Sequence, residues 1–195
     1  MTFPDLPDET PARGISFTAY DVEPPRLLSH GHEALLVEWL AAVAKTHGAE
    51  VVALDYVLCS DAFLHAMNVE HLGHDTLTDV ITFDLRDRPP ASPLSLEGEC
   101  YISLERVREN ALVYAGEDPA YGRRDPAGRV PVADLHSDAS EGPEDAELLR
   151  VFAHGLLHLC GLGDKSPEEA ARMRAAEERA LYIWRSPAAA PGDAP

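Results

Sequence analysis

The chain has 195 residues, with 34 acidic and 16 basic side chains and a formal net charge of −18. This length suits a single domain with a full hydrophobic core. No terminal run is long and apolar enough to predict a signal peptide or a membrane span, so we expect a cytoplasmic protein. Cys59, Cys100 and Cys160 lie in apolar stretches without a C-x-x-C pair. This pattern predicts reduced, buried thiols.

The strong acidity argues against a nucleic-acid partner, because affinity for phosphates rests on lysine and arginine. One interpretation is that the protein does not bind RNA. The other is that it works at high salt, where an acidic surface keeps a protein soluble. Arginine supplies nearly all of the positive charge, and Lys45 and Lys165 are the only lysines. We favour a salt-adapted host, and activity measured against KCl concentration tests this; best activity at low salt would contradict it.

The first half of the chain predicts alternating strands and helices. Residues 1–14 are acidic and proline-rich and predict a flexible tail. The hydrophobic pattern then predicts, in order, strand 15–20, helix 29–47, strand 50–59, helix 62–72 and strand 80–84. Gly48 ends the first helix, and Ser60-Asp61 provides the N-cap of the second. We interpret His65, His71 and His74 as solvated histidines near the end of that helix, because their spacing matches no known metal site.

The second half begins with a proline-bearing loop at 86–96, and strand 98–103 then forms a hairpin with strand 80–84. Ser103 caps a helix over 104–114. Residues 116–142 show little periodicity and predict a loop insertion, in which Arg123, Arg124 and Arg129 form a basic spot. A helix from Pro143, a helix ending near 184 and a flexible tail at 186–195 complete the chain. Residues 15–185 thus predict a single α+β domain with a mixed sheet packed with helices.

One stretch of the penultimate helix has a metal-binding pattern. His154 and His158 are four residues apart, which places both imidazoles on one helix face, one turn apart. Gly161 fits the position where a helix ends, and Asp164 follows six residues after His158. Two histidines and one carboxylate leave a fourth position open, which is typical of a catalytic zinc site. The alternative is that the two histidines are core residues with ordinary hydrogen-bond partners.

This stretch resembles the signature H-G-x-L-H-L-x-G-Y-D-H of the YbeY family of bacterial ribosomal-RNA maturation endonucleases. The matching positions are His154, Gly155, Leu157, His158, Leu159 and Gly161. The departures are Leu162 for tyrosine, Gly163 for aspartate and Asp164 for the third histidine. The resemblance implies one Zn²⁺ per chain, bound by His154, His158 and Asp164. A carboxylate also binds zinc at about 2 Å, but it makes the site more negative and the ion a weaker Lewis acid.

Two upstream segments extend the resemblance over roughly residues 15–184. Residues 68–83 resemble the family's N-x-x-Y-R followed by T-D-V-L-S-F, and residues 98–103 resemble its G-[DE]-I-x-I-[SC] strand. Leu72 stands where the family usually has an arginine thought to help cleavage. Asp79 borders the cleft in the family, which makes it a candidate for contact with the substrate or with a metal ligand. Its alternative role is to close a turn through its side chain.

The resemblance implies a single-strand-specific, metal-dependent endoribonuclease that acts in 16S rRNA 3′-end maturation and ribosome quality control. Ribosomal RNA and the small ribosomal subunit are the implied partners. Zinc would lower the pKa of bound water and polarise a phosphoryl oxygen, although cobalt, nickel or manganese can also accept these ligands. The group that moves the proton stays open: a nearby carboxylate or the metal-bound hydroxide itself could serve.

Two alternatives to this function remain. The first is a non-catalytic, zinc-stabilised ribosome assembly factor, which Leu72 favours. The second is a metal-dependent hydrolase of another substrate, which the acidic composition favours. Gly155 stands where the H-E-x-x-H motif of metalloproteases has its glutamate, and this argues against a peptidase.

Overall fold

The computed structural model of the protein describes residues 14–29, 31–86, 94–117 and 142–185. Both predicted tails lie outside the described residues, except for Gly14. The same holds for most of the predicted 116–142 insertion, including Arg123, Arg124 and Arg129. Those predictions therefore stay predictions.

The described residues form a single α+β domain. Its strands are β1 (Gly14–Ala19), β2 (Ala49–Cys59), β3 (Val80–Asp84) and β4 (Leu94–Ser103). Its helices are α1 (Arg26–Ser29), α2 (Glu33–Thr46), α3 (Asp61–Met67), α4 (Leu104–Glu117), α5 (Pro143–Leu159) and α6 (Pro167–Arg185). A π-helical turn (Asn68–Leu72) extends α3. This architecture confirms the predicted fold class.

The four strands make one mixed sheet in the order β1-β2-β4-β3. β1 and β4 both run parallel to β2, while β3 runs antiparallel to β4. The predicted hairpin between β3 and β4 is confirmed, and its register pairs Val80 with Ile102 and Asp84 with Gly98. β3 is therefore an edge strand, and it enters the sheet next to the strand that lies against α5.

Two predicted boundaries are wrong. The predicted helix 29–47 begins later, at Glu33, and the short helix α1 ends at Ser29, because Gly31 has a φ of 75° that an α-helix does not continue through. The predicted loop 86–96 ends earlier, because β4 begins at Leu94, which pairs with Ala49 of β2. The prolines just before Leu94 masked the alternation of Leu94 and Leu96, which is typical of a strand.

The sheet separates two hydrophobic layers, because neighbouring side chains of a strand point to opposite faces. On one face, which we call the α5 layer, helices α2, α5 and α6 bury residues such as Trp39, Leu40, Phe152, Leu156 and Trp184 together with Cys100 and Ile102. The other face, which we call the α3 layer, is smaller. Its buried residues are Val57, Cys59, Leu64, Met67, Ile81 and Tyr101.

Helix α5 packs closely against the sheet at Gly155, a residue without a side chain. A Cβ atom on Gly155 would come within 2.8 Å of the Cys100 sulfur and 3.5 Å of the Thr82 hydroxyl. Contacts under about 3 Å force the neighbouring atoms to move. Gly155 therefore fixes how closely the middle of α5 approaches β3 and β4, and with it the position of the histidines on either side.

Candidate metal centre

Helix α5 holds the two histidines on a largely buried scaffold. Pro143 occupies its first turn, as predicted, and residues on several sides of the helix are buried. The side chains of His154 and His158 remain 17% and 28% exposed. Their rings stand nearly perpendicular at 89°, and their Nε2 atoms lie 2.8 Å apart. Both Nε2 atoms thus point to one place at the edge of the helix.

The chain leaves α5 through a turn that the sequence predicted. Gly161 has a φ of 92°, the left-handed region that favours glycine. The Gly161 N–H donates to the His158 carbonyl at 2.9 Å, and the Leu162 N–H donates to the Leu157 carbonyl at 3.0 Å. These two bonds form a Schellman motif, which satisfies the last helical carbonyls and reverses the chain. The reversal carries Asp164 back towards the histidines.

The structure brings the three predicted residues together. Asp164 Oδ2 lies 3.8 Å from His154 Nε2 and 3.7 Å from His158 Nε2, and its side chain is 44% exposed. All three atoms lie within 4.8 Å of one another. Zinc binds nitrogen and oxygen at about 2 Å, so one ion can be shared by atoms at these separations. Two nitrogens and one carboxylate oxygen on an accessible surface fit a divalent metal with an open coordination position.

The opposite side of each imidazole has a hydrogen-bond acceptor. His154 Nδ1 lies 2.6 Å from Glu177 Oε1, and His158 Nδ1 lies 2.9 Å from the Leu162 carbonyl oxygen. A carbonyl and a carboxylate only accept, so each Nδ1 donates its proton and each Nε2 keeps a free lone pair. Acceptors of this kind orient histidine ligands in metal sites.

The electrostatic surroundings also favour the metal-binding form of His158. Burial lowers the pKa of His158 below its ordinary value of 6.5, and the neighbouring His154 lowers it further. The hydrogen bond to Leu162 opposes the shift without cancelling it. Only a neutral imidazole binds a metal, so His158 is ready to bind at neutral pH.

Arg150 lies one turn before His154 and joins several carboxylates. Its guanidinium binds both oxygens of Glu147, at 2.9 and 2.5 Å, and its Nη1 lies 3.5 Å from Glu177 Oε1. Burial alone would lower the pKa of Arg150, but Glu147, Glu177 and Asp79 raise it above its ordinary value. Arg150 is therefore a permanent positive charge behind the metal centre.

Asp79 lies behind Arg150. Its Oδ2 atom is 3.5 Å from Arg150 Nη2 and 3.4 Å from Asn110 Nδ2. The backbone carbonyl of Asp79 accepts a hydrogen bond from the Ser103 N–H at 3.0 Å. Asp79 directly precedes β3, and it is linked to His154 through Arg150 and Glu177.

The other residues considered from the sequence lie along α3 and its extension. Leu72 is the last residue of the π-helical turn. His65 Nε2 lies 2.9 Å from the exposed Asp75 carboxylate, and the His71 ring lies edge-on to Phe83. In the described residues, the metal-ligand group is made of His154, His158 and Asp164, without these histidines.

Sequence reasoning missed Glu177, Glu147 and Arg150. The signal that could have found Glu177 is a charged residue on the apolar face of a helix. Glu177 occupies the apolar face of α6, between Met173 and Leu181, and is only 6% exposed. A carboxylate at such a position needs a partner, and that requirement could have directed attention to a histidine.

Comparison with known proteins decides the family. The family model described as Endoribonuclease YbeY matches residues 26–119 and 130–185. The chain belongs to the YbeY family. A relative named Endoribonuclease YbeY from Porphyromonas gingivalis is 36% identical over 171 residues, which cover 88% of this chain and 90% of the relative. Another with that name, from Flavobacterium johnsoniae, is 33% identical over 153 residues, covering 78% and 88%.

A solved structure is also similar to the chain. The solution structure of TM1509 from Thermotoga maritima has 24% sequence identity and a TM-score of 0.48, and covers 92% of this chain and 99% of that one. A separate observation concerns membranes. Within the part of the chain that the structure describes, no helix is long and apolar enough to cross a bilayer.

Proposed function

We propose that the protein is a metal-dependent endoribonuclease that cleaves single-stranded RNA, with Zn²⁺ as its ion. The observation that carries this proposal is the convergence of His154 Nε2, His158 Nε2 and Asp164 Oδ2 at one accessible place. Membership of the YbeY family, whose model is described as an endoribonuclease, supports the reaction class.

Each residue of the centre has a definite task. The two histidines and Asp164 would hold the ion, which supplies Lewis acidity towards a phosphodiester and lowers the pKa of water. Asp164 also offsets part of the positive charge. Gly155 faces Cys100 and Thr82, so the glutamate that metalloproteases carry at this position has no room here. Glu177 accepts a hydrogen bond from His154, so its task is to support that ligand.

We further propose that the RNA is ribosomal. The motif resemblance supports a role in 16S rRNA 3′-end maturation and ribosome quality control, in the cytoplasm, with the small ribosomal subunit as partner. Lys165 is exposed and directly follows Asp164, so it can contact a phosphate next to the centre. Its contribution would matter in a chain with a net charge of −18.

Leu72 favours a second candidate function, that of a non-catalytic assembly factor in which the metal only stabilises the turn after α5. A third candidate, a metal-dependent hydrolase of another substrate, is favoured by the acidic composition. These candidates differ in one observable property. A nuclease turns over RNA and depends on the ligands for turnover, whereas an assembly factor binds RNA without cleaving it.

Metal content is the first measurement. Mass spectrometry of purified wild type, His158→Ala and Asp164→Ala should give near-stoichiometric zinc in the wild type and loss of zinc in both variants. Loss with His158→Ala alone would remove Asp164 from the ligand set. Absence of metal from the wild type, even after reconstitution, would make His154 and His158 ordinary core histidines.

RNA cleavage is the second measurement. We expect the wild type to cut a single-stranded RNA and to spare the matched duplex. His158→Ala should lose at least about 100-fold in rate, because metal catalysis supplies several kcal/mol. His47→Ala, at the end of α2, is the control for loss of a partly buried histidine outside the site. RNA binding without cleavage would favour the assembly factor, and cleavage only of a peptide or an ester would favour the third candidate.

A further inference from the structure

Glu177 is a buried carboxylate with a specific contact. Its Oε1 atom lies 2.6 Å from His154 Nδ1, a short distance typical of a charge-assisted hydrogen bond. The contact joins α6 to α5 across 23 residues of sequence. Glu177 is 6% exposed, so it has little water to solvate its charge. Burial of a carboxylate opposes folding unless its partners compensate for the lost hydration.

The neighbouring charges do not compensate fully for Glu177. Arg150 makes a bidentate contact with Glu147, which is completely buried. Its Nη1 atom lies farther from Glu177, at 3.5 Å from Oε1. Glu147, Glu177 and Asp79 place three carboxylates around Arg150, which carries one positive charge. Among these groups, negative charge is therefore in excess behind His154, on the side of the ring opposite to Nε2. A cation bound to Nε2 would balance it through the imidazole.

The two histidines differ in this respect. His158 Nδ1 donates to a neutral backbone carbonyl, that of Leu162, at 2.9 Å. His154 Nδ1 donates to a carboxylate. A carboxylate acceptor raises the basicity of an imidazole ligand more than a carbonyl does, because the charge strengthens the hydrogen bond. His154 thus has a charged support, whereas His158 has a neutral one.

We propose that Glu177 is the positioning residue of the metal centre: it fixes His154 with Nε2 free and strengthens that nitrogen as a ligand, while Arg150 keeps Glu177 in place. This inference rests on the metal-dependent function proposed above. It assigns a task to a residue of α6, a helix that supplies no metal ligand of its own.

The test removes the charge and keeps the shape. Glu177→Gln replaces the carboxylate by an amide of the same size. Glu178→Gln makes the same chemical change at the next residue of α6, which is exposed. Zinc affinity is measured for both variants and the wild type by competition with a chromophoric chelator. We expect Glu177→Gln to bind zinc about 10- to 100-fold more weakly, the usual effect of losing such a support, and Glu178→Gln to match the wild type.

A second readout separates positioning from a structural role. Thermal unfolding of the metal-free proteins should show Glu177→Gln at least as stable as the wild type, because the substitution removes an excess buried charge. Unchanged zinc affinity in Glu177→Gln overturns the proposal. So does a large loss of metal-free stability that accounts for the weaker binding.

The two proposals fail in different ways. If the wild type binds zinc through His154 and cleaves no RNA, the nuclease function fails and the role of Glu177 stands on the affinity difference. If the wild type cleaves RNA and Glu177→Gln binds zinc as tightly as the wild type does, the role of Glu177 fails alone. A wild type that binds no zinc overturns both.

Discussion

The two hydrophobic layers of the sheet are built differently. In the α5 layer, helix α5 packs so closely on the strands that position 155 has room only for glycine, and the buried Glu147 and Glu177 both pair with the partly buried Arg150. In the α3 layer, six buried residues lie under the partly exposed aromatic side chains of Tyr20, Phe63 and Phe83. The metal centre stands at the edge of the tightly packed layer. From this difference we infer that the ligands are held by the more closely packed part of the fold.

Matched phenylalanine truncations should show the largest difference between the layers. Phe152 is completely buried in the α5 layer. The centroid of its ring lies 5.2 Å from that of Phe17 and 4.9 Å from that of Tyr56. Phe152→Ala should lower the free energy of unfolding by about 3–5 kcal/mol. Phe63→Ala in the α3 layer should cost at least about 1 kcal/mol less, because that ring is already partly exposed. Urea unfolding of the metal-free proteins measures both, and equal costs would contradict the comparison.

Local sequence signals predicted much of this fold. Ser166 and Glu169, three residues apart at the start of α6, match the sequence pattern of a capping box. The structure has this box, since the Glu169 side chain accepts from the Ser166 N–H at 2.9 Å and the Ser166 hydroxyl accepts from the Glu169 N–H at 3.2 Å. Ser60 likewise caps α3 by accepting from the Phe63 N–H at 3.2 Å. Such signals involve residues three or four apart, so they can be read directly from a sequence.

The supports of the metal centre follow from long-range contacts. The spacing of His154, His158 and Asp164 indicated their proximity, because one helix and one turn carry all three. Glu177 reaches His154 because α6 packs on α5, and Arg150 reaches Asp79 because α5 packs against β3. The order of the strands also depends on long-range contacts, because no local sequence pattern predicts that β4 lies between β2 and β3.

Filling the glycine contact should have a smaller effect than the loss of Phe152. Gly155→Ala introduces a methyl group 2.8 Å from the Cys100 sulfur, and we expect a loss of about 1–3 kcal/mol in unfolding free energy. Cys100→Ala in the same chain removes that sulfur and should restore part of the loss. Urea unfolding of the two single variants and the double variant measures the coupling free energy between positions 155 and 100.

Gly142→Ala is the control for the glycine contact, because a methyl group there meets open space. Its effect should stay within a few tenths of a kcal/mol to about 1 kcal/mol, the range for alanine at a helix N-cap. If Gly155→Ala were as mild as Gly142→Ala, or if Cys100→Ala brought no recovery, close packing of α5 would not be the constraint that we infer.

Thiol alkylation should show the smallest effect. Burial raises the pKa of both Cys59 and Cys100 to about 12, and that of the partly exposed Cys160 to about 11. The thiolate is the reactive form, so all three should react slowly with iodoacetamide at pH 8. We expect Cys160 to react first, then Cys59 of the α3 layer and last Cys100, because a smaller cluster opens more readily. Peptide mass spectrometry at successive times gives the order of alkylation. If Cys100 reacted before Cys59, the α5 layer would open more readily than the α3 layer, which would contradict the comparison.

The turn between α5 and Asp164 limits how this protein can evolve. The Leu162 carbonyl that orients His158 belongs to the backbone, so no side-chain substitution can delete it. The same few residues set the distance from His158 to Asp164. An insertion or deletion between these two residues would therefore disturb a ligand and the support of another ligand in a single event. Chain length should stay constant here while the amino acids at Cys160 and Leu162 vary.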